Sequence, residues 1–151
     1  MRIAFFVFVC SAMLPQVAVG AAAPGTYEAC SQVLRDADNA GKRISPRQVA
    51  AVLNATNSRC LSSAETSEWL NEVLFHALLV RPAAFLEAFA RVDQVTRRNI
   101  IAELESPVND GIDLPKVYRS VWSVKGGNGK DKQAIISALR TAGDKAGLQL
   151  P

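Results

Sequence analysis

The chain carries one histidine in 151 residues, so any reaction that needs an imidazole must use His76. Glu65, Glu68, Glu72 and His76 recur three or four residues apart, which places them on one stripe of a helix. Glu72 and His76 are spaced to titrate as a pair beside a ligand. The simpler reading is the solvated face of a helix whose other sides are buried, and that is the expectation carried forward. A zinc site needs three or four ligands, and neither a second histidine nor a free thiol accompanies His76. A nucleophilic triad is set aside because its base would have to come from the glutamate stripe. The segment Asn109-Asp110-Gly111-Ile112-Asp113 offers oxygen ligands in the manner of a calcium loop. A helix–loop–helix calcium site requires a bidentate glutamate at its twelfth position, and counting from Asn109 or Asp110 reaches Ser120 or Val121. Asp110-Gly111 is therefore read as a turn, and Asp113 as the cap of a following helix. Gly126-Gly127-Asn128-Gly129-Lys130 lacks the preceding strand and glycine–lysine spacing of a phosphate loop, and reads as a flexible connection. No metal or cofactor is expected.

Glu105-Ser106 closes a helical segment and invites a second chemistry. A glutamate desolvated enough to stay protonated near neutral pH can serve as a general acid. The dipeptide resembles the catalytic Glu-Ser of the soluble lytic transglycosylases, and that resemblance implies cleavage of cell-wall glycans with Glu105 as the acid. It covers two residues only; Pro107 departs from the pattern, and the sugar-binding segments that follow in that family have no counterpart here. The alternative is an exposed last-turn glutamate followed by a helix stop. Trp69 and Trp122 are candidate binding anchors, but packing against the core is the commoner role of such residues.

The remaining reactive groups are cysteines, and their meaning depends on the compartment. Arg2 is the only charge before Glu28, Ile3 to Val9 form an apolar run, and small residues from Ala18 to Ala23 follow Pro15. That is the pattern of a secretory signal, with cleavage expected near Gly20. The apolar run is far shorter than the ~20 residues of a membrane span, so no stable membrane anchor is expected after cleavage. Loss of Cys10 with the signal leaves Cys30 and Cys60, an even pair in an oxidising compartment, which predicts a disulfide. The mature chain retains about 130 residues, enough for one domain around one core. Its formal charge is close to neutral, slightly acidic up to Val80 and slightly basic from Arg81 onward. Arg97, Arg98, Lys116 and Arg119 are interleaved with acids, so the concentrated basic footprint of a nucleic-acid binder is missing.

These residues must be positioned by helices, because every long segment has helical period and none alternates as a strand. The first helix is expected from Thr26, with Tyr27, Cys30, Leu34 and Ala37 inward, ending at Asn39-Ala40-Gly41. Ser45-Pro46 opens the second, with serine as N-cap and proline at the first helical position, and Val49, Val52 and Leu53 on its inner face. An antiparallel hairpin of these two helices brings Cys30 beside Cys60. Ser62-Ser63-Ala64-Glu65 reads as a capping box for a third helix reaching Arg81, apolar almost all round from Val73 to Val80 and so central. Pro82 starts a fourth, with Phe85, Leu86, Phe89 and Val92 on one face. Asp93 caps a fifth, with Ile100, Ile101 and Leu104 inward, and Asp113 a sixth carrying Val117, Tyr118, Val121 and Trp122. The last runs over roughly 130–142.

The expected organisation is a signal over 1–20, a disordered segment over 21–25, one all-helical domain over 26–143 and a frayed tail over 144–151. The fold class is all-α, a compact array of about six or seven short antiparallel helices, with one disulfide across the first hairpin. Whether helices stack in pairs is left open. The functional expectation is an exported, secreted or periplasmic, non-catalytic module that binds another protein, of the inhibitor or immunity type. Small exported helical immunity proteins that neutralise cell-wall hydrolases are similar in kind. Its interaction loop is assigned to Asn109, Asp110 and Asp113, since rigid scaffolds commonly present function on such loops. A glycan hydrolase using Glu105 and a carrier of a small apolar ligand remain the alternatives.

Overall fold

A computed structural model describes residues 27–56, 59–126 and 128–151. The expected signal, its cleavage point and the segment 21–25 lie outside the described residues, as does Thr26. The described residues form seven α-helices and two 3-10 turns, with no strand among them. Helix α1 (Tyr27–Ala40) ends where Gly41 takes φ +48°, a left-handed conformation that costs a side-chain-bearing residue more than glycine. A 3-10 turn, Gly41–Arg43, leads to α2 (Pro46–Ala55). Ser45 and Gln48 form a reciprocal capping box there, the serine hydroxyl accepting from the Gln48 N–H and the Gln48 amide oxygen accepting from the Ser45 N–H. A second 3-10 turn, Arg59–Ser62, precedes α3 (Ala64–Val80). Helices α4 (Pro82–Phe89), α5 (Gln94–Leu104), α6 (Leu114–Trp122) and α7 (Gly129–Lys145) complete the chain.

Like Ser45, two further predicted caps are formed as read. Asp93 accepts from the Val95 and Thr96 N–H groups at 2.8 and 2.9 Å, and the Thr96 backbone bond, seconded by its hydroxyl, holds the Asp93 carboxyl below its ordinary value of 3.8. Asp113 accepts from the Lys116 N–H at 2.9 Å. The expected capping box at Ser62 and Glu65 is not formed. Ser62 is inside the preceding 3-10 turn, Ser63 is the extended residue at the helix entrance, and it makes no side-chain cap bond. Thr66 secures this corner instead, its hydroxyl donating to the Cys60 carbonyl at 2.6 Å.

Helix α3 is the centre of the array: α1, α2, α4, α5 and α6 all pack against it. Leu70, Leu74, Ala77 and Leu78 are wholly buried within it, as the near-continuous apolar run predicts. Around it α1 pairs with α2, α4 lies chiefly on α2, and α7 packs on both α5 and α6. The sulfurs of Cys30 and Cys60 are at bonding distance, 1.95 Å, with their Cα atoms 5.5 Å apart, linking α1 to the turn after α2. Tyr27, placed inward by its spacing, is instead 56% exposed; it stands in the first turn of α1, one turn ahead of Cys30, where the core begins. An ion pair ties α5 to α7: the Arg97 guanidinium donates to the buried Asp131 carboxylate and to the Ala90 carbonyl, and lies 4.8 Å from the centre of the Phe89 ring.

The end of the chain differs from the frayed tail expected after Gly143. Helix α7 continues to Lys145, Gly147 turns at φ +70°, and the Leu148 N–H donates back to the Gly143 carbonyl at 2.8 Å. Arg140 then holds the Pro151 carbonyl at 2.7 Å, and the Tyr118 hydroxyl donates to the same oxygen. A Cβ on Gly143 would meet the Leu150 side chain at 2.9 Å, so the tail expected to fray after this residue packs back onto it.

Candidate functional site

Asn71 is the polar residue that sequence reading passed over. It sits one position before Glu72 on α3 and is wholly buried. Its amide donates to the Glu103 carbonyl at 3.0 Å, to the Glu103 carboxylate at 2.8 Å and to the Ser106 carbonyl at 3.3 Å. Its side-chain oxygen accepts from the Val108 N–H at 3.2 Å. Both faces of one amide are thereby spent on the end of α5 and the start of the following loop, fixing a segment without regular structure to the central helix. An isolated asparagine in an apolar helix was the available signal, because such a residue is buried only where partners meet it.

Beyond Val108 the loop turns as its residues predict. The Asn109 side chain accepts from the Gly111 N–H at 2.8 Å, an Asx turn, while its amide donates to the Glu72 carboxylate on α3. Asp113 caps α6. Of the three residues assigned to the interaction loop, two therefore have structural duties, and Asp110 is exposed at the turn with its carboxylate open to solvent. Val108 is 43% exposed beside it.

The loop walls a groove of about 300 Å³ against α3 and the first turn of α6, with Phe75, Leu79 and Val117 among its apolar lining and Glu72, Asp113 and Lys116 among its polar lining. His76 belongs to this groove. Glu65, Glu68 and Glu72 are exposed as expected of a solvated stripe, but His76 departs from it: the residue is half-buried, and its Nε2 is shielded from solvent with no hydrogen-bond partner. Along the stripe the Glu72 carboxylate accepts from Asn109, and His76, one turn on, lines the groove together with Ile112 and the first turn of α6. Among the described residues no three His, Cys, Asp or Glu side chains converge as metal ligands.

Glu105 lies elsewhere. It is the half-buried C-cap of α5 and the only acid in the lining of an open groove of about 330 Å³ that also contains Phe89, Arg97, Arg98 and Ile101. The Lys145 ammonium donates to the Glu105 carbonyl at 2.9 Å and to the Ser106 hydroxyl at 3.2 Å. Ser106 is thus engaged in holding the end of α7. Where a flexible connection was expected, Gly129 already opens α7, and Asn128 is its N-cap, accepting from the Lys130 N–H at 3.1 Å. No helix of the described residues is long and apolar enough to cross a membrane. No protein-family model, curated protein or solved structure matches the chain.

Proposed function

We propose that the protein is an exported, non-catalytic module that binds another protein through the face made by residues 108–113, the outer stripe of α3 and the first turn of α6. The observation that carries the reading is the clamped loop. A connection with no regular structure is held by Asn71 and Asn109, yet presents Val108 and Asp110 to solvent. Ordering a loop before binding removes an entropic cost from association, so such a loop is suited to recognition. Glu68, Glu72, Asp110 and Asp113 outnumber Lys116 on this side, which favours a partner presenting a basic surface. The Cys30–Cys60 bond supports an oxidising compartment, secreted or periplasmic. An inhibitor or immunity-type role fits a face of this kind.

The test is capture of a partner from envelope and secreted extracts with the tagged, oxidised chain, compared with Asp110→Lys. Asp110 is the informative position because Asn109 and Asp113 also shape the loop, so substitutions there would mix folding with binding. A partner retained by the parent chain and lost by Asp110→Lys supports the reading. No retained partner, or one held equally by the variant, overturns it. The glycan-hydrolase alternative is separated by Glu105→Ala, which should abolish cell-wall turnover if Glu105 is a general acid and leave capture unchanged if the face above is the functional one.

A further inference from the structure

Residues 116–132 hold five cations, Lys116, Arg119, Lys125, Lys130 and Lys132, against one acid, Asp131. In the sequence that acid interrupts the run. In the structure it is buried, and its carboxylate is taken by Arg97 from α5 and by the Asn128 amide, so it does not offset the exposed Arg119, Lys125 and Lys130. Lys116 departs at the other end, toward the groove that holds Glu72 and Asp113. The other four lie within three residues of Trp122 or of Lys132, and Trp122 is 58% exposed, against the packing expected for it. Arg119 precedes Trp122 by three residues on α6 and shares its side of the helix. The Lys132 ammonium stands 5.6 Å from the indole centroid and donates to the Trp122 and Val124 carbonyls. On its inner side the indole is stacked on the buried Tyr118 ring, centroids 6.0 Å apart and planes 11° from parallel, which fixes its orientation.

A large apolar ring held outward among cations is poorly placed in water. At a bilayer interface the ring sits at headgroup depth while lysine and arginine meet anionic headgroups. We propose that the C-terminal end of α6 and the start of α7 form a reversible attachment site for anionic lipid surfaces, with Trp122 as the inserting residue, Arg119, Lys125 and Lys130 as the headgroup contacts, and Lys132 bracing the indole from the carbonyls of Trp122 and Val124. A soluble polyanion without aromatic groups would be met by the charges alone and would leave the indole without a role. The site also gives the molecule an orientation. Asp113 and Trp122 stand at opposite ends of α6, roughly 13 Å apart at the helical rise per residue, so docking the basic end directs the acidic face around Asp110 away from the anionic surface. This inference is independent of the proposed protein partner.

The test uses the full oxidised chain carrying Trp69→Phe, so that Trp122 alone fluoresces, titrated with phosphatidylcholine vesicles with and without phosphatidylglycerol. The expected result is a blue shift of Trp122 emission on the anionic vesicles only, reversed by high salt. Neutralising two headgroup contacts, Lys125→Gln with Lys130→Gln, should weaken vesicle affinity about thirtyfold. Co-sedimentation of the chain with Trp69 intact provides the same comparison without the reporter substitution. Because apolar residues near the chain start are common to every arm, the reading rests on the Trp122 shift and on the difference between variants. No shift, an equal shift on neutral vesicles, or unchanged affinity of the double glutamine variant would overturn the proposal.

Discussion

Replacing Asn71 by alanine should be the most damaging single change to the face proposed for binding. The amide makes four hydrogen bonds, three through its nitrogen and one through its oxygen. A typical intramolecular bond contributes a net ~1 kcal/mol, and one to a charged group somewhat more. Ser106 and Val108 are exposed and Glu103 is half-buried, so their released groups can recover water and the penalty for orphaned partners is modest. The truncation also leaves a small void at a position with no solvent exposure. Together these give a loss of about 2–4 kcal/mol, or a drop in Tm on the order of 10 °C for a domain of this size. Urea denaturation of the oxidised chain at neutral pH measures the first, and amide exchange at Val108 reports the loop. Asn71→Asp retains the shape but brings a second carboxylate against Glu103, and should cost at least as much. A loss below about 1 kcal/mol for Asn71→Ala, with Val108 exchange unchanged, would refute the claim that this amide clamps the loop.

Removing the disulfide by Cys30→Ala with Cys60→Ala opens a loop of 30 residues and should lower stability by roughly 3–4 kcal/mol on the chain-entropy view, read by urea denaturation against the oxidised parent; equal midpoints would contradict it. The Asp93 carboxyl is held below its ordinary 3.8 by the Thr96 bonds. Its stabilisation is therefore present above that value and lost as pH falls through the depressed one. Asp93→Asn should flatten that part of the acid limb in melts from about pH 5 to pH 2, and parallel loss in both chains would dismiss the cap as its source. Glu105→Ala should leave the unfolding midpoint and partner capture unchanged, because the contacts at this corner run through the Glu105 carbonyl and the Ser106 hydroxyl, which the substitution retains.

The helices were legible because their determinants are local. Ser45-Pro46, Asp93 and Asp113 each cap within three residues of themselves, and the periodicity of Val49, Val52 and Leu53 or of Ile100 and Leu104 is visible in a short window. The failures have the opposite character. Ser62 was misread because a 3-10 turn tied to Thr66 displaced the helix start by one residue. His76 left its solvated stripe because it lines a groove whose other wall, Gly111 to Asp113, comes from more than thirty residues later. Trp122 escaped the core because Tyr118, one turn earlier, took the inner position. The loop itself was found from its turn chemistry, but not the division of labour within it. Which of Asn109, Asp110 and Asp113 is spare depends on Glu72 and the start of α6, and the clamp by Asn71 spans more than thirty residues.

The central claim is that residues 108–113 and the neighbouring stripe of α3 form the binding face. Hydrogen-exchange footprinting of the captured complex against the free oxidised chain tests it directly. The account predicts added protection over 108–116 and the exposed turns of α3 around Glu68 and Glu72, with the groove beside Glu105 unchanged. Protection confined to that groove, or to the end of α6 around Trp122, would contradict it.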